Sequence, residues 1–369
     1  MDAGRLKSID DWPRIQQRYE AWWQGEMVDR VLIAITAPKY SRPEEQVLPD
    51  ELRDWWTNPE RVIARGEAGI AATYYCGDAF PVLHPSTMVA ITASFLGAPL
   101  RLIDERSSWC DASIDDWDAR ARLDYDPDNE LWLTTKRLLA AAAERAVGNY
   151  YVGVPDLNGP GEVLARLRGS EPLAIDLIEN QEHVLRAMSE VNQAWYRYWQ
   201  ASHGIVQQHV GGYVFWMGAW SELPAADLQV DFSCMISPEM FDQFFLPFVE
   251  EQTRWVPRTI YHLDGPDAIR HLDSLLCLER MPAIQWVPGA GAPPQSAWLP
   301  LLRRIQARGK RLHLSCSPYE VPILLQELEP QGLCLMVHCE SPEEADRVLL
   351  DATRLSARRQ WVVHGTRMH

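Results

Sequence analysis

The residues with the most chemical promise are His262 and Asp264, separated only by Leu263 in the run TIYHLDG (259–265). If that run is a strand, positions i and i+2 face the same way, so imidazole and carboxylate enter one site while Leu263 enters the wall. A third donor, Cys339, closes the apolar run LCLMVHCES (333–341). Imidazole, carboxylate and thiolate together make a donor set for a metal, with Zn²⁺ the foremost candidate. The same two-residue spacing also serves a plain hydrogen-bonded His–Asp pair, and spacing alone leaves both readings open.

Such a site needs elements to carry it. The run VLIAIT (31–36) is short, apolar and β-branched, the pattern of a strand buried on both faces. Similar runs recur at 149–155, 227–235, 259–265, 283–289, 311–318 and 333–341, with an eighth candidate at 74–83. Between them lie amphipathic stretches at 237–256, 267–278, 297–309 and 341–355. Several open with Ser-Pro or Gly-Pro, an N-cap followed by proline in the first helical turn. Alternating buried strands and helices predict a parallel sheet with right-handed crossovers. Eight strands predict an α/β fold of the (β/α)8 TIM-barrel type. An open doubly wound sheet is the alternative, but no GxGxxG or phosphate-loop sequence supports it. The stripe Ile15, Tyr19, Trp22, Trp23 marks a helix over 8–24. Residues 1–28 therefore read as an N-terminal helical extension packed on a single barrel, 29–369, that ends in a C-terminal tail.

In a (β/α)8 barrel the active site lies at the C-terminal ends of the strands. That rule selects Asp156, Asn158, Asp231, Ser233, His262, Asp264, Trp286, Ser315, Cys316, His338, Cys339 and Glu340. Asp156, Asp231 and Glu340 are candidate acids and bases; Asn158, Trp286 and His338 are candidate substrate contacts. Trp216 and Trp220, in the glycine-punctuated segment VFWMGAWSEL, are candidates to shape a pocket or simply to pack. Sixteen tryptophans in 369 residues exceed what most chains carry. Core packing accounts for most of them, and an aromatic pocket wall for some.

A formal net charge of −16 disfavours nucleic acid, whose phosphates call for clustered Lys and Arg. The acidic run Asp111-Asp115-Asp116-Asp118 lacks the glycine and closing glutamate of a calcium loop. No apolar run reaches about 18 residues, which argues against a membrane span. Seven irregularly spaced cysteines and a polar start without a signal-peptide pattern predict a reduced, cytoplasmic setting.

The order and wording of these segments resemble the uroporphyrinogen decarboxylase-like superfamily across roughly residues 12–352. The segments are WWQGEMVDRVLIAITAP, VGVPDLNGPGEVLARLRGSEPLAIDLIEN, FSCMISPEMFDQFFLPFVEEQ, IYHLDG and LCLMVHCESPEEADRVL. True decarboxylases of that superfamily carry an arginine-rich N-terminal segment; here the first strand runs into Ala37-Pro38-Lys39-Tyr40 instead. The chain is more similar to the corrinoid (cobalamin)-dependent methyltransferase branch. That resemblance implies zinc held by a His-x-Cys pair after the fifth strand and a Cys ending the eighth. His262 and Cys339 match, while Asp264 stands where the pair has its Cys, which hardens the donor set. The resemblance further implies a small methylated substrate or thiol and a cobalamin carried by a separate corrinoid protein. Two alternatives from other classes remain. One is a metal-independent lyase, decarboxylase or hydrolase using the strand-end carboxylates. The other is a non-catalytic barrel that binds a small ligand or a corrinoid protein.

Overall fold

A computed structural model describes residues 6–9, 11–41, 47–86, 88–120 and 122–365, with side chains described to residue 357. Its strands are β1 (Leu32–Pro38), β2 (Thr73–Gly77), β3 (Val82–Leu83), β4 (Leu100–Leu102), β5 (Ser108–Cys110), β6 (Tyr151–Val152) and β7 (Tyr213–Val214). They continue with β8 (Trp220–Ser221), β9 (Ala225–Gln229), β10 (Arg258–Asp264), β11 (Ala283–Val287), β12 (Arg311–Cys316) and β13 (Leu333–His338). The fold is mixed α/β around a seven-stranded sheet in the order β2-β1-β13-β12-β11-β10-β9. All neighbours in it are parallel except β2, which runs antiparallel to β1. A separate parallel pair, β3–β6, is hydrogen-bonded within itself, and its Leu83, Tyr151 and Val152 pack in the same core cluster as Leu32, Ala225, Ile260, Ala283 and Cys334.

Several elements differ from the sequence expectation, each for a local reason. The candidate strand at 74–83 is two pieces, β2 and β3, because β2 ends at Gly77, which turns the chain in the left-handed region at φ 66°. The segment 149–155 keeps only Tyr151–Val152 as strand, and Pro155 beyond it has no N–H to give a ladder. The run at 227–235 ends as strand at Gln229, and Asp231–Met235 form a 3-10 turn. The helix expected over 237–256 is two, Pro238–Phe244 and Leu246–Trp255. Pro247 cannot donate to the turn before it, and the break falls at Phe245.

The N-terminal helix Trp12–Gln24 starts later than expected and buries Trp12, Ile15, Tyr19, Trp22 and Trp23. It plugs the N-terminal end of the sheet. The Trp22 indole N–H lies 3.3 Å from the Leu312 carbonyl and 3.1 Å from that of Gly332, and Trp23 donates to the Trp220 carbonyl at 2.9 Å. Close by, Asp78 is fully buried. It accepts from Arg30 at 2.5 and 3.1 Å, from Arg18 at 3.1 Å and from the Ile33 N–H at 2.9 Å.

Pleating divides each central strand between two cores. On β13, Leu333, Leu335 and Val337 lie in the larger cluster with the helices, whereas Cys334 and partly buried Met336 lie in the inner one. On β10, Tyr261 and Leu263 take the helix side and Ile260 the inner side, which puts His262 and Asp264 inside with Ile260. Parallel register then places Gln229, His262, Gln285, His313 and Cys334 side by side as one row across β9 to β13.

Candidate functional site

That row carries a chain of hydrogen bonds. His262 Nδ1 lies 2.5 Å from Gln285 Oε1. An amide oxygen only accepts, so Nδ1 donates this bond and Nε2 is the ring nitrogen left to another partner. The Gln285 amide nitrogen in turn reaches His313 Nδ1 at 3.3 Å. Above His262 the Trp216 ring stands edge-on, with centroids 5.3 Å apart.

His262 is part of a group. Asp231, His262 and Asp264 each present one ligand atom within 4.8 Å of the others. Two come from the end of β10 and the third from the 3-10 turn after β9. Asp231 Oδ1 is buried and, among the described residues, meets no hydrogen-bond partner. Burial pushes the Asp231 carboxyl up to about 6; His262 opposes that rise, and Asp264 and Asp156 add to it.

More carboxylates surround this group. Asp156, on the loop after β6, accepts from the Asn158 N–H at 2.8 Å and from Gln229 Nε2 at 3.1 Å; burial raises its pKa. Asn158 makes this turn in the left-handed region at φ 57°. Gly159 follows because a Cβ there would collide with the Gln229 carbonyl oxygen, so the loop lies flat against the end of β9. Asp227, one inner position before Gln229, is pushed up to about 7 by burial and then by Asp156. Glu162 opens the helix Pro160–Arg168 and accepts from the Phe232 N–H at 2.9 Å. Burial and then Asp231 push it up to about 8.

Beside the group, at the C-terminal ends of β1 and β10 to β13, lies a cavity of about 800 Å³ lined by Asp264, Ser315, Cys316, His338, Met336 and Phe80 among others. His338 lies exposed at its rim, with Nδ1 3.2 Å from the Thr36 hydroxyl.

The candidates named from sequence therefore separate. Asp156, Asn158, Asp231, Trp216, His262 and Asp264 gather around one region, and His338 lines the adjoining cavity. Four others do not join them. Cys339 is fully buried in the helix-side core, in step with Leu335 and Val337, so pleating turns its thiol away from His262. Burial and then Glu344 hold that thiol up at about 11. Asp231 stands in the group instead. Trp286 also has helix-side parity and packs against Trp298, with centroids 5.0 Å apart. Trp220 packs edge-on to Trp12 at the opposite end of the sheet. Glu340 is exposed, its N–H donating to Glu344 at the start of the last helix.

Asp227, Gln229, Gln285, His313 and Glu162 went unselected by the strand-end rule. The two-residue alternation that picks His262 and Asp264 finds Asp227–Gln229 in DLQ, but only the register of neighbouring strands aligns Gln285 and His313 with His262.

No known sequence family and no curated protein matches the chain. Among solved structures, it is similar to a methyltransferase from Methanosarcina mazei, with TM-score 0.60 and 14% identity. The match covers 92% of this chain and 98% of that one. A likeness at that identity concerns the fold.

Proposed function

We propose that this protein is a metal-assisted methyltransferase of the uroporphyrinogen decarboxylase-like superfamily. In this reading residues 29–369 form one closed (β/α)8 barrel, the β3–β6 pair completing the circle of parallel strands, with residues 1–28 as an N-terminal extension. The observation that carries the proposal is the Asp231–His262–Asp264 group, with an orphaned carboxylate oxygen, beside a cavity at the strand ends. The fold likeness to a methyltransferase supports the same direction.

The donor set suits a divalent cation. Imidazole and two carboxylates are borderline-to-hard ligands, so Zn²⁺ fits, and Mn²⁺ fits better than it would a thiolate site. Gln285 orients the His262 ring, as a hydrogen-bonded neighbour does in many metal sites. A bound cation supplies Lewis acidity toward a heteroatom at the cavity end. When a methyl group leaves a heteroatom, that atom keeps the bonding electron pair and needs a proton. Asp227, raised to about 7 by burial and then by Asp156, carries a proton in about half of the molecules at neutral pH and can give it up. The methyl acceptor is cobalamin on a separate corrinoid protein. The substrate is a small methylated molecule, and the setting is cytoplasmic. All seven cysteines are free, and among the described residues no helix is long and apolar enough to cross a membrane.

A second reading is a metal-independent lyase using carboxyl groups as acid and base. The elevated Asp227 and Glu162 favour it. One experiment separates the two. Protein stripped with chelator is titrated with Zn²⁺ and Mn²⁺, then assayed for methylation of cob(I)alamin from a methyl ether by absorbance. The proposal expects one equivalent of cation, lost in His262→Ala and Asp231→Asn and retained in Cys339→Ala, with methylation only in the loaded protein. Failure to bind a stoichiometric cation would sink the metal reading and leave the lyase.

A further inference from the structure

One imidazole beside the cavity takes no part in the Asp231–His262–Asp264 group. Phe80 and Val82 line the cavity. Leu83 turns the other way, toward the helix Pro59–Ala72, where a Cβ on Gly66 would lie 2.7 Å from Leu83 Cδ1. Alternation therefore returns His84 to the side of Val82, one step nearer the C-terminal end of β3. The parallel ladder runs on past the strand, because the Gly153 N–H donates to the Leu83 carbonyl at 3.0 Å. That sets His84 beside Gly153. A Cβ on Gly153 would lie 2.2 Å from His84 Cε1 and Nδ1. The backbone at Gly153 is outside the positive-φ region, so its conformation does not call for glycine; the room taken by the imidazole does. Asp156 follows three residues later on the same segment.

The His84 ring is partly buried, and among the described residues its nitrogens meet no hydrogen-bond partner. His262, His271, His313 and His338 each engage one. Burial lowers the His84 pKa to about 4, so the ring is neutral at pH 7 and offers one N–H and one lone pair. Polar atoms withdrawn from water are ordinarily paired, and beside a cavity a ligand supplies the missing partner. A hydroxyl both accepts and donates, so it pairs with either ring nitrogen, whichever carries the proton; an ether oxygen serves only the N–H. Phe80, Val82 and Met336 give the body of such a ligand an apolar surface. We propose that His84 is a specificity residue that hydrogen-bonds a hydroxyl group on the ligand of this cavity, with Gly153 leaving room for its ring. As a statement about substrate this rests on the methyltransferase reading, and makes the substrate a methyl ether that also carries a hydroxyl; as a statement about binding it stands separately.

The three methoxyphenol isomers, which hold the hydroxyl at different distances from the methoxy group, are compared with anisole by isothermal titration at pH 7. Each is titrated into the wild-type protein with and without Zn²⁺, and into His84→Ala and His84→Phe, so the preference is read whether or not the protein binds a cation or turns over. In the wild type at least one isomer should bind about 10-fold more tightly than anisole, the worth of one neutral hydrogen bond. Both variants should bring that isomer down to the affinity of anisole, a change in the ratio of two ligands that a purely structural role would not produce. Their folds are checked by thermal unfolding, and phenylalanine fills the space of the ring, so the question is answered even if His84→Ala does not fold. No binding of any probe by the wild type, no isomer preferred over anisole, or a preference that persists in either folded variant overturns the proposal. A hydroxyl preference that depends on His84, in a protein that takes up no cation and moves no methyl group, would leave it standing and defeat the methyltransferase reading alone.

Discussion

Replacing Gln285 by Leu tests the idea that an amide sets the state of His262. Gln285 is 5% exposed, and its side chain spans two imidazoles. Leucine approximates its volume, so the change removes hydrogen bonds and creates little cavity. The His262 Nδ1–H then faces a methyl group. Leaving a buried donor unpaired costs about 1–3 kcal/mol. The second bond, at 3.3 Å to His313, is long for its type and adds less. Together the loss of stability should be about 2–4 kcal/mol, read by urea unfolding of cation-free protein. With Nδ1 unheld, the ring can rotate or exchange tautomers, so Nε2 no longer faces Asp231 and Asp264 continuously. Affinity for Zn²⁺, measured by competition with a chromophoric chelator, should fall about 10- to 100-fold. Gln285→Glu keeps an acceptor at the same place and should restore most of that affinity. A folded Gln285→Leu protein with wild-type cation affinity would refute the reasoning, because His262 would then be oriented by something other than this amide.

Stability should also depend on pH in an unusual direction. Asp231, Asp227 and Glu162 have folded-state pKa values of about 6, 7 and 8, above the values near 4 of an unfolded chain. The folded state therefore binds more protons. The contribution of these groups is fully present below about pH 4 and is lost as pH rises through 6 to 8. Urea midpoints of cation-free protein should fall over that range, and saturating Zn²⁺ should flatten the Asp231 part of the fall. Trp286→Ala should destabilise by about 3–5 kcal/mol while leaving cation affinity unchanged, since this ring packs on Trp298 outside the group; a changed affinity would return Trp286 to the site. Gly159→Ala should cost at least about 2 kcal/mol and loosen the Asp156–Gln229 contact, because the added methyl meets the Gln229 carbonyl. A soluble variant with wild-type urea midpoint would contradict that close approach. Asp78→Ala should cost about 3–5 kcal/mol by stranding the buried Arg30. An unchanged midpoint would mean the guanidinium finds other partners.

Local pattern alone was enough for a good deal of this protein. Apolar, β-branched runs of five to seven residues, punctuated by Pro and Gly, locate β1 and β10 to β13. Period-two alternation pairs His262 with Asp264 on one face, because a side chain's face on a strand is set by the backbone next to it. Pattern was insufficient where the outcome depends on distant partners. Both halves of the 74–83 segment are short extended runs, yet one pairs antiparallel with β1 and the other with β6. Cys339 and Trp286 occupy strand ends as His262 does, and which face turns inward is decided by packing of the whole sheet against its helices. Asp231 joins His262 only because a 3-10 turn after β9 folds back toward β10, and Gln285 meets His262 only because neighbouring strands align in register. Sequence therefore determined which residues can do chemistry and which neighbours share a face. Tertiary structure decided which of those faces converge, since convergence is a property of register and packing between segments far apart in the chain.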